Sequence, residues 1–215
     1  MLEVERNRLQ TEHFTLGILK SKEDFCCKEV EYFDCDNDDL NEFFRKDAFD
    51  HKQELLAETY YFQPREATEE GIFFPVALIS FLNDAIVIEK KERKGAKRIF
   101  YNYLRKYVPH EKRGYPSFPA VKIGRLGVQK KYQRMDLGTS LLNMTKDLFL
   151  TNNRTGCRFI TVDAYRNDIT ISFYQKNGFQ FLWDKDKDDD SRIMFFDLKR
   201  HEKQQNAGQS IRGPL

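Results

Sequence analysis

The stretch Arg125-Leu-Gly-Val-Gln-Lys-Lys-Tyr-Gln-Arg-Met-Asp-Leu-Gly-Thr-Ser-Leu-Leu142 reads as the end of an apolar strand, a short basic turn and the first turns of an amphipathic helix. A helix entered this way turns several backbone N–H groups and the positive end of its macrodipole toward the turn, a ready seat for a phosphate. Further on, Ala164-Tyr-Arg-Asn-Asp-Ile-Thr-Ile-Ser-Phe-Tyr-Gln-Lys-Asn-Gly-Phe179 leaves a strand, forms a second helix and stops at Asn177-Gly178, where a left-handed C-cap belongs. Either segment alone describes an ordinary capped helix after a strand. The pair, in this order, is far more specific.

Outward from the cradle, Phe118 to Val128 reads as the strand that feeds it, and Leu137, Leu141, Met144 and Leu148 mark the buried stripe of the helix that follows. Phe159 to Ala164 is a short apolar strand and Asp168 to Lys176 a helix. Phe179 to Trp183 and Arg192 to Leu198 form a hairpin around the acidic loop Asp184 to Asp190. Toward the N-terminus, His13 to Lys20 alternates as an opening strand. Phe33-Asp-Cys-Asp-Asn-Asp-Asp-Leu-Asn-Glu-Phe-Phe44 starts a helix that Asp38 or Asp39 would cap, with Leu40, Phe43, Phe44 and Ala48 on its buried face. Ala57 to Gln63 and Ile72 to Leu82 are aromatic and β-branched, the pattern of a hairpin. The longest apolar run, Gly71 to Leu82, contains Pro75 and is too short to span a bilayer, so no membrane partner is expected.

Residues 89–113 stand apart, with ten Lys or Arg against Glu89, Glu92 and Glu111, a net +7. Phe100, Tyr103, Leu104 and Tyr107 fall on one helical face and Arg98, Asn102 and Arg105 on the other, so a basic amphipathic helix with Tyr101 exposed is expected here. The whole chain carries only +2, so any polyanion contact must be local. From Lys199 onward the sequence is polar and reads as a tail.

At 215 residues, 40% hydrophobic, the chain has the length and apolar content of one well-buried domain, taken as residues 1–198 with a basic insertion at about 89–113 and a tail at 199–215. Cys26, Cys27, Cys35 and Cys157 lack the spacing of a disulfide framework, so free thiols in a reducing cytoplasm are expected. His13, His51, His110 and His201 are scattered, and no metal is expected. Residues Met1 to Glu12 are charged, unlike a secretory signal.

The order strand, helix, hairpin, strand, cradle, helix, strand, helix ending in Phe173-Tyr174-x-x-x-Gly178-Phe179, and hairpin resembles the GNAT N-acetyltransferase superfamily over most of the chain. The resemblance implies an α/β (α+β) fold whose mixed, mostly antiparallel central sheet has a splayed strand pair and is flanked by helices. Gln133-Arg-Met-Asp136-Leu-Gly138 lines up with the family signature [Gln/Arg]-x-x-Gly-x-[Gly/Ala], which implies acetyl-coenzyme A as donor. It implies that the pyrophosphate meets backbone N–H groups of Arg134, Met135, Asp136, Leu137, Gly138 and Thr139, with the pantetheine arm beside Leu126, Gly127 and Val128 and held by Asn167. Asp136 departs from the family's first glycine and puts a carboxylate at the mouth of an anion site. By the same resemblance Tyr174 donates to the departing thiolate and the Val128 N–H serves the oxyanion.

A thiol's pKa lies below a phenol's, so a nearby tyrosine can donate a hydrogen bond or a proton to the leaving sulfur. Phe173 is expected to pack, leaving Tyr174 available. Asp163 and Glu58 are the acids that could serve as a base, and both could equally be structural. The 33–44 segment and Gly124-Arg-Leu-Gly-Val128 also look like a GNAT branch that includes bacterial toxins acetylating the amino group of aminoacyl-tRNA. An aminoacyl amine titrates near neutrality and would need little help from a base. The acceptor is left open among small amines, peptides and aminoacyl-tRNA, as is the oligomeric state, a homodimer included. A catalytically silent acyl-coenzyme A binding module that engages a partner through its basic helix is the reading from another class.

Overall fold

A computed structural model describes residues 14–19, 33–64, 75–88, 98–109, 114–151 and 156–202. The fold is mixed α/β, a seven-stranded, mostly antiparallel sheet in the order β1-β2-β3-β4-β5-β7-β6 with helices flanking it. In chain order the elements are β1 (Phe14–Ile18), α1 (Asp38–Glu42), a wider π turn (Phe43–Asp47), α2 (Ala48–Gln53), β2 (Glu58–Pro64), β3 (Ala77–Val87), α3 (Arg98–Tyr107) and β4 (Ser117–Val128). A short 3₁₀ turn (Lys130–Tyr132), α4 (Leu137–Thr151), β5 (Phe159–Tyr165), α5 (Asp168–Lys176), β6 (Gln180–Phe181) and β7 (Ser191–Asp197) complete it.

The chain forms two compact units, residues 1–83 with 123–145 and residues 84–122 with 146–215, so β3, β4 and α4 each run through both. In the first unit α1, the π turn and α2 bury Phe43, Phe44 and Ala48 together with Leu19, Phe33, Cys35 and Leu78. The buried stripe of this helical segment is the expected one. Its N-cap is Asn37, whose side chain accepts the Leu40 N–H at 3.0 Å, rather than Asp38 or Asp39. Those two acids occupy the first turn instead, where the macrodipole favours negative charge.

The second unit is built around Phe100, whose ring lies 5.0 Å from Phe195 and 5.4 Å from Phe159, both edge-on. Tyr103, Leu104 and Val108 of the basic helix, Phe118, Leu182 and Ile86 close the core. The predicted apolar face of that helix is therefore its buried face. Tyr101 is half-buried rather than exposed, and residues 89–97 and 110–113 of the basic stretch lie outside the described residues.

β3 begins after Pro75 and runs to Val87, beyond the expected end at Leu82. Asp84 lies in this extension, and its carboxylate accepts the Thr161 hydroxyl and the Ala85 N–H, which satisfies it within the sheet. Residues 72–74 of the expected strand lie outside the described residues, as do residues 203–215 of the tail, and residues 198–202 form a helical turn. Among the described residues no helix is long and apolar enough to cross a membrane.

Candidate active site

In the first unit, β4 delivers Leu126, Gly127 and Val128 to the mouth of the turn. Gly127 is buried, and a Cβ there would stand 3.1 Å from Phe33 and 3.2 Å from the Cys35 sulfur, so a side chain would press on the 33–35 segment by a few tenths of an ångström. After the 3₁₀ turn, Arg134 and Asp136 both adopt left-handed backbone, φ 62° and 58°, with Met135 between them. Left-handed residues in a turn can direct backbone N–H groups to one side, the basis of anion-binding concavities. The first hydrogen bond of α4 runs from the Ser140 N–H to the Asp136 carbonyl at 3.0 Å, so the Leu137 and Gly138 N–H groups precede the helical ladder. Arg134, Met135 and Asp136 are exposed, and Gly138 and Thr139 half-buried. This donor set suits an anionic group such as a phosphate, and Asp136 takes a left-handed backbone that glycine adopts most readily.

Two of the turn's basic residues near Asp136 in sequence have partners of their own. Lys130 pairs with Asp36 at 2.6 Å, which raises its pKa, and Lys131 lies over the Tyr132 ring. Arg134 is exposed in the turn itself. The Gln133 side chain donates to the Cys35 carbonyl at 2.9 Å and the Val128 carbonyl at 3.1 Å, fastening the turn to the strand end.

In the second unit, Asn167 caps α5, its side-chain oxygen accepting the Thr170 N–H at 2.8 Å. That engages the oxygen and leaves the amide nitrogen as the group it can offer a ligand. The far end of α5 is a Schellman turn: Phe179 N–H donates to Tyr174 carbonyl and Gly178 N–H to Gln175 carbonyl, both at 3.0 Å, with Gly178 at φ 86°. Such a turn brings together the residues three before and two after the cap, here Tyr174 and Phe179, whose rings are 5.3 Å apart. This reverses one expectation. Tyr174 is buried and Phe173 only half-buried, because the Schellman contact selects the tyrosine for the core. Burial also pushes the Tyr174 hydroxyl above its usual range.

The acids considered as bases are engaged. Asp163 pairs with Lys122 at 2.5 Å, and Glu58 with Lys52. Cys35 and Cys157 are buried, with burial pushing both thiols up to about 11, so neither is a thiolate near neutrality. Sequence reasoning missed the polar set around Asn41, which is 5% exposed and bonds both Cys35 and Asp34. An asparagine inside the helix start, where its propensity is poor, was the available signal.

Residues 83–181 match the family model described as an acetyltransferase (GNAT) domain. No curated protein matches the chain. Among solved structures it is similar to a tyrosine-to-phenylalanine mutant of KacT, at 17% identity and TM-score 0.67, covering 89% of this chain and 98% of that one. It is similar also to AtaTR bound with AcCoA, at 19% identity and TM-score 0.63, with 89% and 98% covered. A third is AtaT complexed with acetyl-methionyl-tRNAfMet, at 20% identity and TM-score 0.63, with 88% and 97% covered. At such identities the likeness concerns the fold.

Proposed function

We propose that this chain, an N-acetyltransferase with a GNAT domain over residues 83–181, moves the acetyl group of acetyl-coenzyme A to an amine by direct attack on the thioester. The observation that carries the reading is the left-handed turn at Arg134 and Asp136 opening α4, inside the matched residues. Acetyl-coenzyme A supplies the acyl group and a thiol leaving group. Backbone N–H groups from Arg134 to Thr139 hold its pyrophosphate, the edge of β4 at Leu126 to Val128 lines its pantetheine arm, and the Asn167 amide steadies that arm. The Val128 N–H is the donor toward the carbonyl oxygen.

Tyr174 is the donor toward the leaving sulfur. Because burial keeps its phenol protonated through the physiological range, it acts by hydrogen-bond donation rather than by handing over its proton. With Asp163 and Glu58 engaged by lysines, an acceptor amine that is already neutral fits best. Tyr174→Phe keeps the ring and loses the donor. It is expected to cut release of free thiol by about a hundredfold at unchanged coenzyme affinity, measured by thiol trapping against a panel of amines. Turnover equal to wild type would remove Tyr174 from the mechanism.

A second reading names the acceptor as aminoacyl-tRNA. It is supported by the basic outer face of α3, where Arg105 and Lys106 are exposed, and by the likeness to AtaT complexed with acetyl-methionyl-tRNAfMet. Under it, acetylation of a charged tRNA exceeds that of the free amino acid; equal rates would discard it.

A further inference from the structure

We propose that the segment 33–41 is a latch that positions the coenzyme cradle, with Asp34 and Asn41 as its positioning residues. The proposal rests on the acetyl-coenzyme A reading and adds to it the residues that hold the pyrophosphate turn in shape. Two left-handed non-glycine residues in one turn persist only where their surroundings fix them from both sides. On the C-terminal side α4 does this through the Ser140 N–H to Asp136 bond. The N-terminal side has only the three-residue 3₁₀ turn Lys130–Tyr132. There the 33–36 segment supplies the anchors. Lys130 N–H donates to the Asp34 carbonyl at 2.7 Å, Asp34 N–H to the Gln129 side chain at 2.6 Å, and the Gln133 amide to the Cys35 carbonyl at 2.9 Å.

Those anchors are themselves fixed from α1 and the π turn that follows it. The Asn41 side chain accepts the Cys35 N–H at 2.9 Å and donates to the Asp34 carboxylate at 2.9 Å; the same carboxylate oxygen accepts the Asp36 N–H at 2.9 Å. These two donors, Asp36 first, hold the Asp34 carboxyl below its usual range. Arg45 grips the Phe33 carbonyl with two donors, at 3.2 and 2.6 Å. Every bond in the series lies within the first unit. The sequence Phe33-Asp-Cys-Asp-Asn-Asp-Asp-Leu-Asn41 is thus explained by the turn it braces: an acceptor at 34, a reversal at Asp36 with φ 63°, a cap at Asn37 and a two-sided amide at Asn41.

Coenzyme A affinity by calorimetry tests this on wild type, Asp34→Ala, Asp34→Asn and Asn41→Ala, each first shown folded by its unfolding midpoint. Asp34 is half-buried, so its variants are the ones least exposed to misfolding. Asp34→Ala and Asn41→Ala are expected to weaken coenzyme A about tenfold, while Asp34→Asn, which keeps the accepting oxygen, stays within about twofold of wild type. Affinity for acetyl-pantetheine, which has no pyrophosphate, should not change. A purely structural role would lower the midpoint and spare the affinity, and that outcome overturns the latch while leaving the acetyltransferase reading intact. Wild type that fails to bind coenzyme A overturns both.

Discussion

Asp136 occupies left-handed backbone at φ 58°, a conformation that costs a side chain roughly 1 kcal/mol or more and that aspartate tolerates better than most. A glycine there would relieve the strain but add freedom to the unfolded chain, so Asp136→Gly should shift stability by no more than about 1 kcal/mol. A β-branched residue cannot adopt the turn cheaply. Asp136→Val is expected to lose about 2 kcal/mol, together with the coenzyme affinity that Asp136→Gly retains or improves. Denaturant unfolding and calorimetry on the two variants check this; indistinguishable behaviour would mean that the backbone of this residue does not shape the cradle.

Gly178 and Lys146 decide the geometry of the second element, α5. Gly178 sits at φ 86° and a Cβ there would come within 3.0 Å of the Phe196 ring, so Gly178→Ala should cost about 1–2 kcal/mol. It should also slow thiol release by displacing Tyr174, which the Schellman turn positions. Lys146, 5% exposed, donates to the Asn177 carbonyl at the same helix end at 3.0 Å and lies over the Phe196 ring. Burial lowers its pKa from 10.5 to about 8. Below about pH 8 it is charged in both folded and unfolded chains and the fold carries the cost of burying that charge. Above that, the folded protein sheds the proton while the unfolded chain keeps it, so this group makes stability rise with pH. The rise ends near pH 10, the ordinary tyrosine range, because burial holds the Tyr174 and Tyr103 hydroxyls protonated only while the protein is folded. Denaturation midpoints at about pH 7 and about pH 9 should show the rise in wild type and not in Lys146→Met. A flat wild-type profile would contradict the buried-charge account.

These elements also show what the sequence could reveal. α5 is read with its exact ends, because Asn167 and Gly178 are local signals at both termini. The strand, basic turn and helix around residues 126–139 are legible from local signals as well. The burial of Tyr174 follows from the Schellman pairing with Phe179 that Asn177-Gly178 announces, whereas the extension of β3 through Asp84 depends on a partner distant in sequence and the cap at Asn37 on a choice among neighbouring polar residues, which no local pattern encodes. The latch around Asn41 is of the same kind, since its partners Gln129, Lys130 and Gln133 lie about ninety residues away.

Over the whole molecule, a formal charge of +2 hides a local excess of +7 across residues 89–113. Screening separates the two readings of the acceptor. Contacts made through phosphates release counterions, so affinity for tRNA should fall steeply with salt, and reversing Arg105 and Lys106 to Glu should flatten that slope and weaken binding. Both side chains are exposed on α3, whose buried face is aromatic, so the reversal should leave the fold unchanged. RNA binding that survives the reversal at the same slope would move any such contact off this helix.

The central claim is that the turn opening α4 binds the pyrophosphate of acetyl-coenzyme A. Calorimetric titration of wild type beside Gly138→Glu, which sets a carboxylate against the N–H groups at the start of the helix, tests it directly. Binding in the low-micromolar range, about −8 kcal/mol, that the variant loses is the expected result. No binding by wild type, or equal binding by both proteins, would contradict it.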